Sequence, residues 1–130
     1  MMDARRSDLA GGANLRPTMP KHNNLPGSRK RWALNQHELA HLVGVSISMV
    51  SRYERGALPP AARTVLAMEV VFGRSGRHLF PHEYAEIHDQ VMRRAAKLER
   101  QLEGREDAVS LRKRQLFREM TKRGGLTPDP

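Results

Sequence analysis

The chain has 130 residues, 38% of them hydrophobic and 5% aromatic, with 28% charged and a formal net charge of +9. That balance suits one modest helical domain with appendages and excludes a large aromatic-rich β core. The positive surplus calls for an anionic partner, either nucleic acid or an acidic membrane surface. The absence of cysteine excludes disulfides, thiolate metal sites and cysteine nucleophiles. No apolar run is long enough to span a bilayer, and the polar opening MMDARRSDLAGGANLRP lacks the core of a secretion signal. A cytoplasmic protein without a membrane partner is therefore expected.

Residues 1–23 mix Arg, Asp, Gly and Pro without period and read as a mobile basic arm. Within it, Arg5, Arg6, Arg16 and Lys21 are candidates to follow DNA phosphates or enter a minor groove. Residues 24–81 read as a compact run of short helices. Pro26 suits the first turn of a helix reaching Trp32, since its missing N–H would have no helical partner there. Asn35 reads as the N-cap of a second helix and Glu38 as its capping-box partner, with Gly44 supplying positive φ after Val43. Ser46 caps a third helix that ends at Arg55 before Gly56. Pro59 and Pro60 open a fourth helix that Gly73 closes, and a single turn from about Gly76 to Phe80 precedes Pro81.

Beyond Pro81 the pattern changes. Tyr84, His88, Val91, Ala95, Leu98 and Leu102 form a short heptad seam in a helix over residues 82–104. After Gly104, residues 105–123 read as a basic helix with Val109, Leu116, Phe117 and Met120 on one side, and 124–130 as a disordered tail. Strand-like alternation is missing, so the expected class is all-α.

The second and third helices meet the demands of two helices crossing over a tight turn. Leu39 and Val43 form the first inward pair, Ala40 is the small contact, Gly44 makes the turn, Val45 plugs beneath it, and Val50 and Tyr53 face inward from the second helix. This stretch, LNQHELAHLVGVSISMVSRYERG, with the Pro-led helix and the turn ending in LFP, resembles the Cro/C1-type (XRE) helix-turn-helix family of repressors. The resemblance covers about Leu25 to Pro81 and implies a five-helix, lambda-repressor-like domain whose helix from Ser46 to Arg55 enters the major groove. It places Ile47, Ser48, Ser51 and Arg52 at base-reading positions, where Arg52 could pair with guanine and Ile47 could cover a thymine methyl. It places Gln36, Arg55, Lys30 and Arg31 at phosphates, and makes Arg29 and Glu54 a structural pair between helices one and three. Pro26-Gly27 departs from the family pattern by shortening the first helix.

A rival motif overlaps these residues. His37-Glu38-Leu39-Ala40-His41 spells H-E-x-x-H, a zinc-protease signature. The third ligand of its longer form would fall at Ile47, which cannot bind zinc, and nothing in the sequence brings His78, His82 or His88 near. The pair Gly11-Gly12 lacks the spacing of a phosphate loop. No cofactor, metal or catalytic activity is expected. The expected function is a sequence-specific regulator of transcription, a repressor-type protein binding double-stranded DNA, with a homodimer through Tyr84 to Leu102 as a candidate. The same seam could instead fold back on the domain or pack on Val109, Leu116 and Phe117 as a helical hairpin. The alternative function is an antitoxin-type or adaptor module whose C-terminal helices bind a protein partner.

Overall fold

A computed structural model of the chain describes residues 22–124, and these residues are all-α. The expected arm cations Arg5, Arg6, Arg16 and Lys21, the Gly11-Gly12 pair and residues 125–130 of the tail lie outside the described residues. The helices are α1 (Leu25–Arg31), α2 (Gln36–Val43), α3 (Ile47–Glu54), α4 (Ala62–Phe72), α5 (Gly76–Leu79), α6 (Pro81–Gln101) and α7 (Ala108–Arg123).

Local chemistry sets most of these boundaries. Asn35 Oδ1 accepts from the Glu38 N–H at 2.8 Å while Glu38 returns a bond to the Asn35 N–H at 2.9 Å, a reciprocal capping box. Ser46 accepts from the Met49 N–H, Ser75 from the His78 N–H and Asp107 from the Ser110 N–H. Gly44 (φ 78°) ends α2, and the Val45 N–H reaches back to the Ala40 carbonyl at 3.1 Å, closing the turn. The fourth helix starts later than Pro59 and Pro60 suggest. Both prolines precede it, and extended Ala61 (ψ 159°) is its N-cap. A residue that precedes proline is pushed away from the helical region, which holds Pro59 itself out of the helix.

Each of α1 to α5 contributes one wholly buried side chain to a single core: Leu25, Leu39, Val50, Met68 and Leu79. Each such burial is worth roughly 2 kcal/mol of transfer free energy. Ala40, Tyr53 and Phe80 complete the buried set, with Val43 and Val45 packed against it, as the turn between α2 and α3 requires. The first helix is short yet well anchored. Asn24 donates through its backbone N–H to the Leu79 carbonyl (2.8 Å) and through Nδ2 to the His78 carbonyl (2.6 Å). Asn23, expected to end the arm, belongs to the folded domain instead. Its Nδ2 donates to the Tyr53 carbonyl at 2.9 Å and its Oδ1 accepts from the Leu25 N–H.

The last two helices form a hairpin, α7 packing on α6 and α6 joining the domain through α5. The seam divides. Ala95 is buried and Tyr84, His88 and Leu102 are half-buried, whereas Val91 and Leu98 are exposed. The expected face of α7 is also rotated: Phe117 and Met120 are covered, but Val109 and Leu116 are exposed and Ser110 takes a buried position. Ser110 can be buried because Asp107 satisfies it, accepting from its N–H at 3.0 Å and its hydroxyl at 2.8 Å. Two small residues, Ala95 and Ser110, thus occupy buried sites on the hairpin helices, where larger side chains would hold the axes apart.

Candidate nucleic-acid interface

The outward side of α3 follows from its inward one. With Val50 and Tyr53 buried, Ser48, Arg52 and Arg55 fall on the opposite face and are exposed. Ile47, in the first turn, is 39% exposed, and Ser51 is half-buried on the flank. The four expected base-reading residues therefore lie on the accessible side of one short helix. Ser51 Oγ accepts a long bond from Arg55 Nε (3.4 Å), which leaves its own hydroxyl hydrogen for an outside acceptor.

Behind this face lies a polar knot. Arg29 Nε and Nη2 donate to Glu54 Oε2 and Oε1 at 2.6 and 3.1 Å, and Arg29 Nη1 donates to the Leu34 carbonyl at 2.8 Å. The hydrogen bonds it donates to Glu54 hold the Arg29 guanidinium above its ordinary pKa, against the opposing effect of burial. Gln36 joins the same carboxylate, its Nε2 donating to Glu54 Oε1 at 3.0 Å. Sequence reasoning paired Arg29 with Glu54 but missed Gln36. A bond spanning eighteen residues leaves no periodic trace. Gln36, at the start of α2, thus spends one of its two amide hydrogens inside the protein.

Lys30 and Arg31 are exposed in the last turn of α1. Arg31 stands beside exposed Trp32, its guanidinium 5.8 Å from the ring centroid, and shares a depression with Arg74 and His78 rather than with the residues of α3. In the H-E-x-x-H stretch, Glu38 is occupied as a cap, and His37 and His41 are exposed. Among the described residues no three His, Asp or Glu side chains converge as a metal-binding group. No helix among them is long and apolar enough to cross a membrane.

The helix-turn-helix family profile matches residues 30–79, a span running from the last turn of α1 to the end of α5. No curated protein and no solved structure matches the chain. The matched span contains the capped α2, the glycine turn, α3 with its exposed face and the Arg29-anchored Glu54. By fold, turn chemistry and profile alike, residues 30–79 of this chain form a helix-turn-helix, similar to those of the Cro/C1-type family.

Proposed function

We propose that the protein is a sequence-specific regulator of transcription that binds double-stranded DNA with α3 in the major groove and works in the cytoplasm without catalysing a reaction. The observation that carries this reading is the accessible side of α3, where Ile47, Ser48 and Arg52 are exposed and Ser51 lies half-buried on the flank, opposite the buried Val50 and Tyr53. A rigid helix of this kind presents a fixed set of donors and one apolar contact to base edges. Arg55 and Gln36 would grip phosphates at the two ends of the helix pair, and Lys30 would extend that grip.

One domain of this size makes few contacts, and regulators of this build read two half-sites as dimers. The hairpin offers a surface for that. Ile87, Val91 and Leu98 are exposed along α6. Val109, Leu116 and Met120 form one stripe of α7, and Met120 lines the same depression as Ile87 and Val91. A homodimer through the outward half of the Tyr84 to Leu102 seam would bury this face. The alternative reading, an antitoxin-type or adaptor module, would set a different protein on the same face.

Binding to a randomised duplex library tests the function. The regulator should select one sequence, and Arg52→Ala should relax the choice at one base position at a cost of about 1–3 kcal/mol. Equal affinity for every duplex, before and after that change, would refute it. Sedimentation of the free chain distinguishes the dimer from a monomer that awaits another protein.

A further inference from the structure

We propose a second binding site, remote from the reading residues, that takes a small anion bearing a planar ring, of the size and chemistry of a mononucleotide. It is a depression of about 330 Å³ between α1 and the α4–α5 turn. Its volume is at the lower end of pockets that hold small organic molecules, which start at about 300 Å³.

The lining explains the choice of ligand. Arg31 comes from the end of α1, Arg74 from the turn after α4 and His78 from α5, so three separate elements bring cationic or protonatable groups to one hollow. No carboxylate of the described residues lines it. Among the described residues neither Arg31 nor Arg74 has a carboxylate partner, in contrast to Arg29, whose guanidinium is consumed by Glu54. A pair of guanidinium groups with no carboxylate partner among the described residues, set at a concave surface, favours a phosphate or carboxylate, which each can bind through two parallel N–H donors.

The second half of the chemistry is aromatic. Trp32 is 63% exposed and Phe72 shares the lining. An indole left in water at the rim of a basic hollow gives a planar ring a stacking surface. Asn24 and Ser28 supply further polar atoms. The walls are held before any ligand arrives, because Asn24 is bonded to the Leu79 and His78 carbonyls and Leu25 is wholly buried. Arg31, expected from the family resemblance at a DNA phosphate, is here assigned to this hollow. None of Ile47, Ser48, Ser51, Arg52 or Arg55 lines it.

Trp32 is the only tryptophan in the chain, so its emission reports on the site directly. The test titrates the full chain with AMP, with adenosine and with inorganic phosphate, exciting the indole selectively. AMP should change the emission saturably with Kd below about 1 mM. Adenosine and phosphate alone should each bind at least about tenfold more weakly, and Arg74→Ala should weaken AMP by a similar factor without shifting the melting temperature. Arg31→Ala, also at an exposed position, should repeat the effect. Silence of the indole to about 10 mM AMP, equal binding of AMP and adenosine, or indifference to both substitutions would overturn the proposal. So would a response to duplex DNA but not to AMP that both substitutions weaken, which would make the hollow part of the DNA surface.

Discussion

Arg29 on α1 and Glu54 at the end of α3 hold each other through two hydrogen bonds, with their side chains only 12% and 7% exposed. Removing one partner strands the other charge away from water. Glu54→Ala should therefore cost about 3 kcal/mol, and the double change Arg29→Met with Glu54→Leu should recover most of it, both read from urea unfolding. The sign with pH follows from the raised arginine. Its contribution is complete below the unfolded value and is lost only as pH rises through the higher folded one. The gap between wild type and Glu54→Ala should thus stay level from about pH 6 to pH 9.

Ala33, between α1 and α2, has φ +60°, the left-handed region that a side chain disfavours. Ala33→Gly should stabilise the protein by about 0.5–1 kcal/mol, glycine's greater freedom in the unfolded chain taking back part of the relief. A melting temperature higher by a few degrees would register it. No gain would mean that Ala33 is not held left-handed in solution.

Gly76 opens α5 against α4, and a Cβ placed there would stand 2.7 Å from Val65 Cγ1. Its N–H also donates to Glu69 Oε2 at 2.7 Å, which fixes the backbone at that spot. Gly76→Ala should cost about 1–3 kcal/mol, and Val65→Ala in the same chain should restore part of it despite being destabilising by itself. Simple additivity in thermal or urea unfolding would argue against the contact.

On DNA, Arg55 and Arg52 should behave differently although they lie one turn apart. Arg55→Ala should weaken all duplexes alike and lower the salt slope of log K by about 1, because a phosphate contact releases counterions and carries no base information. Arg52→Ala should change preference more than the salt slope. Filter binding or anisotropy over a salt series separates the two.

Asp107 caps α7, and its carboxylate lies below the ordinary aspartate range, chiefly through the Ser110 N–H and then the Ser110 hydroxyl. A depressed acid contributes stability above its unfolded pKa and loses it as pH falls through the folded value. Helix content should therefore drop on acidification from about pH 5 to pH 3 more in wild type than in Asp107→Asn, whose neutral amide still caps. Parallel circular dichroism titrations would show it.

Much of the helix-turn-helix was legible in the sequence, since its signals are short in range. Asn35 with Glu38, Ser46 with Met49 and Gly44 after Val43 act within a turn of chain, and Leu39, Val50 and Tyr53 announce their faces by spacing. The hairpin was harder to read. α7 offers two neighbouring apolar stripes, and the choice was made by a polar residue, Ser110, which is fit for burial only because Asp107 bonds it twice. The same limit hid the tie from Asn23 to the Tyr53 carbonyl, and it hid the hollow that joins Trp32 to Arg74 across more than forty residues. Such relations exist only once the chain has closed.

Among the described residues, the side-chain caps at Asn35, Ser46, Ser75 and Asp107 each reach a backbone N–H three residues ahead. None of these bonds waits for a remote segment. Nuclei for α2, α3 and α7 can form independently and on the timescale of local loop closure, well under a microsecond to a few microseconds. The search left to the chain is then mainly the docking of preformed helices onto Leu25, Met68 and Leu79. A protein assembled in that order should fold fast, so its level in a cell would be governed by synthesis and degradation rather than by the time needed to acquire its shape.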